Sequence, residues 1–239
     1  MDEASKGSGA GIDLVIFDCD GVLIDSEVIS ARMLIAELAA HGVTIDMAHV
    51  ARHFLGRSYP VVLQNVRETF GIDLPASFEA DYRARLLAAF DRDLKVMPGV
   101  SEVIDGLRVP YCAATSSSPP RARHSLMLTG LAARFEGRIF TASEVARGKP
   151  APDLFLHAAA RMGVAPARCL VIEDSLMGLR AARAAAMPVV HFTGGSHMAG
   201  VTLPEDEPDP DVTLTGFAGF FVQFPELANP DLSRTESVT

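Results

Sequence analysis

Short apolar runs of strand length alternate with helical patterns along most of this chain, and that alternation admits few folds. The first run, residues 13–17 (DLVIF), is followed at once by the polar turn DCDG. An apolar segment too short for a helix and closed by a charged glycine turn has the pattern of a parallel strand, covered on both faces, that ends in a loop. The same signature recurs at 109–114, 138–140, 169–172 and 188–192, with helical patterns at 99–107, 119–128, 152–162 and 176–187. Prolines near the helix starts and glycines just past their ends supply the expected punctuation. The alternation predicts the α/β class, with a doubly wound parallel sheet and helices on both faces.

One stretch breaks the alternation. Residues 26–96 contain no strand pattern but four helical ones, at 28–41, 47–54, 60–70 and 78–90. They read as an inserted helical-bundle cap domain, leaving 12–25 and 97–239 as the α/β core domain and 1–11 as a flexible polar tail. Met97-Pro98-Gly99 supplies a natural return hinge. An insertion at this point stands over the carboxyl end of the sheet, where folds of this class place ligands. After the last strand, residues 205–211 (EDEPDPD) read as an acidic surface loop and 215–223 as a closing helix.

Composition narrows the function. Of 239 residues 49% are hydrophobic and 21% charged, enough apolar material for a sizeable core. A net charge of -9 repels polyanions, so nucleic acid is excluded as a partner. No apolar run is long enough to span a membrane and the amino terminus has no apolar secretion signal, so a membrane is excluded too and a cytoplasmic location is expected. Cys19, Cys112 and Cys169 each lie in an apolar run, none in a CxxC pair, which reads as buried thiols in a reducing compartment. Nothing in the sequence sets an oligomeric state.

The chemistry concentrates at strand ends. Asp18 and Asp20 flank Cys19 after the first strand, and two carboxylates that close need a cation or a shared proton. A calcium loop would want glycine at its sixth and glutamate at its twelfth position, where this chain has Leu23 and Ile29. A DxD metal site of a glycosyltransferase is not excluded by the pair alone. Thr115 and Ser116 follow the second strand, Lys149 the third (RGKPAPD) and Glu173-Asp174 the fourth (VIEDS). Singly, the hydroxyls read as a helix cap and the lysine as a surface residue. Together, two acidic sites, a hydroxyl and a lysine fall at one edge of a doubly wound sheet, where strand ends converge.

The stretches FDCDGVLIDSE, ATSSS, GKPAPD and IEDSLMGL resemble the four motifs of the haloacid dehalogenase-like hydrolases, in order and over residues 12–192. The resemblance is to the branch of small phosphatases and sugar phosphomutases with a helical cap. It implies a Mg²⁺-dependent enzyme acting on a small phosphorylated metabolite through an aspartyl-phosphate. Asp18 would be the nucleophile, and Asp20 the general acid that later activates water. The ion would be held by the Asp18 carboxylate, the Asp20 backbone carbonyl and Asp174, with Glu173 orienting one of its waters. Thr115 would donate to a phosphoryl oxygen, with Ser116 beside it on the substrate, and Lys149 would neutralise charge building during transfer. The need for a cation is electrostatic, because a carboxylate and a phosphate charge ~4 Å apart repel by about 4 kcal/mol at an effective dielectric near 20.

Departures from the pattern sharpen the reading. The dehalogenases themselves lack the second aspartate, so Asp20 argues against C–halogen cleavage. Phosphomutases of the branch carry a histidine where this chain has Ser30, and a G-x-S-R loop where it has Gly56-Arg57-Ser58-Tyr59. Both departures favour net hydrolysis over a β-phosphoglucomutase-like isomerisation, and leave Glu27, Arg57 and Ser58 as substrate contacts from the cap. The pairing of DCDGVLIDSEVIS with RHSLMLTGL is most similar to phosphatases of 6-phosphogluconate and sugar phosphates. A receiver-type phosphoacceptor module also combines these residue types, but it places its acidic pair before the acceptor aspartate. Other features read as structure. His49 and His53 lack the glutamate of a zinc-protease helix, Cys19 lacks the arginine of a thiol phosphatase, and residues 193–195 form a loop that is not a P-loop. Phe217, Phe220 and Phe221 read as core.

Overall fold

The structure is a computed structural model and describes residues 11–54, 59–199, 207 and 210–230. The chain enters through β1 (Leu14–Phe17), passes through four helices, α1 (Glu27–Ala40), α2 (Met47–His53), α3 (Tyr59–Phe70) and α4 (Phe78–Asp93), and returns into α5 (Val100–Gly106). From there it alternates through β2 (Tyr111–Thr115), α6 (Pro119–Leu128), β3 (Ile139–Thr141), α7 (Asp153–Met162), β4 (Cys169–Glu173), α8 (Leu176–Ala184) and β5 (Val189–Phe192). It closes with β6 (Val212–Leu214) and α9 (Phe220–Gln223). The described strands form one parallel six-stranded sheet in the order β3-β2-β1-β4-β5-β6. Strand order reverses between β1 and β4, and the crevice beyond their carboxyl ends is where a sheet of this kind binds ligands.

The two faces of β1 show why its sequence is apolar throughout. Val15 and Phe17 enter one core, with Ile104, Phe135, Phe192 and Phe217, while Leu14 and Ile16 enter the other, with Leu154, Phe155 and Leu179. All four strand residues are fully buried, as a two-sided parallel strand requires. The α1–α4 insertion buries a separate apolar cluster that includes Leu34, Leu38, Phe54, Phe78, Leu86 and Phe90. Its two connections run side by side: Ile24 bridges Val96 antiparallel, Met97 N–H donates to Leu23 at 2.9 Å, and Asp25 N–H donates to Lys95 at 3.0 Å.

The doubly wound sheet expected from the alternation is present, with corrections at its edge. The sequence reading has five strands, whereas β6 adds a sixth. Its three residues are too few to show a period, and pairing defines it: Val190 lies opposite Val212, and Asp211 accepts from Val189 N–H at 2.9 Å. The helix expected over 215–223 is instead a 3-10 turn (Phe217–Gly219) followed by α9. Most of the acidic loop 205–211 lies outside the described residues, as do residues 1–10 of the expected tail and both Arg57 and Ser58. Among the described residues no helix is long and apolar enough to cross a membrane. His49 and His53 pack on each other, ring centroids 4.5 Å apart, and His49 also packs on Phe54 and Phe70.

Candidate active site

The site is built from strand ends. β2 runs one residue further than its apolar pattern, and so does β4, so Thr115 and Glu173 are terminal strand residues with fixed backbones. Asp18 and Asp20 leave β1 through a tight turn in which Leu23 and Ile24 N–H both donate to Cys19. Gly21 closes that turn at φ +82°, and a Cβ there would stand 2.0 Å from Asp174 Oδ2. Only glycine fits both the conformation and the space. Cys19 points into the core and is buried.

Lys149 is the charge centre. Its Nζ lies 2.5 Å from Asp18 Oδ1 and 2.9 Å from Glu173 Oε2, and donates to the Ala114 carbonyl at 3.2 Å. All three side chains are almost wholly buried. Burial, then the Glu173 charge, push the Asp18 carboxyl well above the ordinary carboxylate range, and Lys149 opposes them. Burial and Glu173 push Asp174 up in the same way. Burial works against the Lys149 charge, but Asp18 and Glu173 outweigh it and raise the lysine's pKa. Asp18, Glu173 and Asp174 each offer an oxygen, and these oxygens lie within 4.8 Å of one another. Three buried carboxylates against one lysine form an all-oxygen donor set with negative charge to spare, which fits a hard divalent cation.

Lys149→Met keeps the volume but strands these carboxylates. We expect it to lower unfolding free energy by about 3–5 kcal/mol at neutral pH without divalent ions, measured by urea denaturation. The loss should shrink as pH is lowered, because Asp18 and Asp174, with raised pKa values, take up protons before ordinary carboxylates do; a loss that does not change with pH would contradict the charge assignment.

Asp20 faces away from that cluster. Its Oδ1 accepts from Ser26 Oγ at 2.6 Å and from Arg121 at 2.8 Å, and its Oδ2 from Ser117 Oγ at 2.6 Å. Burial alone would raise its pKa, but the Arg121 charge and the two hydroxyls overcome burial and hold it below the ordinary range. Arg121 also reaches Ser30 Oγ at 3.2 Å and lies over the Phe90 ring, 5.3 Å from its centroid, so one guanidinium touches the sheet side and two helices of the insertion. The sequence reading missed Arg121 and Ser117. Charge counting was the available signal, since four acidic groups at one edge against one lysine call for a second cation.

A cavity of about 340 Å³ joins these groups. Asp18, Asp20, Thr115, Ser116, Lys149, Glu173 and Asp174 line it from the sheet, and Glu27, Ser30, Leu34, Phe54 and Tyr82 from the insertion. Thr115 accepts from Ser117 N–H at 3.0 Å, which leaves its O–H to donate. Ser116 is exposed on the cavity wall. Burial, and next the Asp20 charge, raise Glu27 to about 7. The structure thus brings together every sequence-predicted site residue that it describes.

Comparison with known proteins agrees with this geometry. Residues 12–186 match the model of the haloacid dehalogenase-like hydrolases, and the chain belongs to that family. It is an enzyme of the hydrolase class. The 6-phosphogluconate phosphatase of Escherichia coli (strain K12) is 30% identical over 196 residues, covering 81% of this chain and 88% of the relative. Among solved structures, a haloacid dehalogenase-like protein of unknown function from Agrobacterium tumefaciens superposes with a TM-score of 0.77 at 34% identity, covering 92% of this chain and 100% of that one. A HAD family hydrolase from Deinococcus radiodurans R1, solved with bound phosphate and sodium, superposes with a TM-score of 0.69 at 31% identity, covering 92% and 99%.

Proposed function

We propose that the enzyme is a Mg²⁺-dependent phosphatase of a small phosphorylated metabolite, a sugar or sugar-acid phosphate, acting through a phosphorylated Asp18. The observation that carries this reading is the meeting of Asp18, Lys149, Glu173 and Asp174 at the strand-order reversal, with Asp20 on the wall of the same cavity. The relatives support it: one is a 6-phosphogluconate phosphatase and another was solved holding phosphate. The α1–α4 insertion would serve as the cap, with Glu27 contacting the substrate. Free, buried Cys19, Cys112 and Cys169 agree with a cytoplasmic location.

Asp18, Asp174 and the Asp20 backbone carbonyl would hold Mg²⁺, with Glu173 beside it, and the ion would supply positive charge to offset the meeting of carboxylate and phosphate. In the first half-reaction an Asp18 oxygen attacks phosphorus, the ester P–O bond breaks, and the leaving oxygen takes its proton from Asp20. Lys149 holds Asp18 in place and offsets the equatorial charge, and Thr115 donates to a phosphoryl oxygen. In the second half, Asp20, now a carboxylate, takes a proton from water as that water attacks phosphorus, releasing phosphate and restoring Asp18. The arrangement in hand, with both Asp20 oxygens accepting, is the proton-accepting form. Ser30 stands where a mutase would have a histidine, and its hydroxyl does not titrate near neutrality, which favours hydrolysis.

The test is a panel of sugar and sugar-acid phosphates assayed for free phosphate and for isomerised product. Free phosphate is expected with Mg²⁺ and should vanish with EDTA. Full activity in EDTA, or an isomer as the main product, would overturn the reading.

A further inference from the structure

The loop after β5, to which the sequence reading gives no role, brings a histidine with a buried side chain against one of the site carboxylates. His197 sits in the 3-10 turn Ser196–Met198, and its side chain is 5% exposed. Its Nε2 lies 2.7 Å from Asp174 Oδ2, yet neither buried ring nitrogen has an aligned hydrogen-bond partner. The ring is wedged between two glycine backbones: a Cβ on Gly195 would stand 2.6 Å from its Cε1, and one on Gly21 2.9 Å. The turn is tied down by Ser196, whose N–H and Oγ donate to Asp25 Oδ1 at 3.1 and 2.8 Å.

His197 is not a member of the carboxylate cluster of Asp18, Glu173 and Asp174, but it touches one member, Asp174, from outside the cavity lining. With its Nε2 at contact distance from a carboxylate oxygen, the ring meets Asp174 as an N–H donor. We propose that His197 is a positioning residue whose Nε2–H holds the Asp174 carboxylate in place and presents it to the divalent cation. That role needs the Asp174 carboxylate to turn until it aligns with the N–H already at contact distance. Partners behind a ligand commonly set its orientation and basicity, and their loss weakens metal binding without touching the ion. This inference rests on the divalent-cation site of the proposed function.

Isothermal titration of the full chain with Mg²⁺ alone tests it, comparing wild type with His197→Ala, His197→Gln and Gly195→Ala. His197→Ala is expected to bind Mg²⁺ roughly 10- to 100-fold more weakly. His197→Gln keeps an N–H donor and should recover part of the loss, whereas Gly195→Ala, whose Cβ displaces the ring, should share it. The rise in melting temperature on adding Mg²⁺ should fall in the same order, a readout that a purely structural role would leave unchanged. If His197→Ala does not fold, the other two variants decide. Variants that bind Mg²⁺ as tightly as a wild type that binds it would overturn the role of His197. A wild type that neither binds Mg²⁺ nor loses activity in EDTA would instead overturn the cation site itself, and this inference with it.

Discussion

Asp18→Asn is expected to silence turnover while leaving the fold in place. The amide matches the carboxylate in size but has no charge with which to attack phosphorus, and deletion of an enzymatic nucleophile costs more than about 10⁴-fold in kcat. Stability should move the other way. Burial and Glu173 raise the Asp18 pKa above its ordinary 3.8, so the folded state holds that proton more tightly than the unfolded chain does. For such a group stability falls as pH rises from about the unfolded pKa toward the folded one. Above the ordinary carboxylate range the metal-free wild type therefore bears a cost, as buried charge or as proton uptake, that the asparagine removes. Phosphate release from p-nitrophenyl phosphate and the melting temperature in EDTA test both halves. Undiminished turnover, or acid-quenched label on a residue other than Asp18, would sink the assignment.

What the sequence made legible follows from how local each signal is. The β1 run LVIF and the turn after it announce themselves because every strand residue is buried and the polar change is abrupt. Thr115, Lys149 and Glu173-Asp174 could be placed because each ends or follows a strand, and strand ends converge in this topology. β6 was not legible, because three residues show no period and depend on a neighbouring strand for their structure. Arg121 and His197 were missed for a related reason. Neither belongs to one of the motif stretches, and the importance of each exists only through a partner distant in sequence: Asp20 for Arg121, 101 residues away, and Asp174 for His197. Ser30 was read as a departure from a mutase pattern, and in space it is also a contact of Arg121. Such long-range pairings of polar groups leave no trace in periodicity.

Asp20→Asn separates the two half-reactions. An alkoxide leaves poorly without a proton, so with a sugar phosphate the first half should slow by about 10²- to 10⁴-fold, the usual worth of a general acid. p-Nitrophenolate needs no such help, so with p-nitrophenyl phosphate the first half should slow by roughly tenfold or less. The second half needs Asp20 as base whichever ester was used, so steady-state turnover falls for both. Rapid-mixing experiments distinguish the steps. The variant should release one equivalent of p-nitrophenol per site in a fast burst and then stall as the phosphorylated enzyme, and it should show no burst with an alkyl ester. The asparagine can keep its carbonyl oxygen toward Ser26 and Arg121 and donate its amide N–H to Ser117 Oγ, so the geometry is kept while the Arg121 ion pair is lost. A missing burst with the aryl ester, or equal first-step losses with both esters, would place the proton donor on another side chain. Glu27, on the same cavity wall and raised to about 7, would be the next group to substitute.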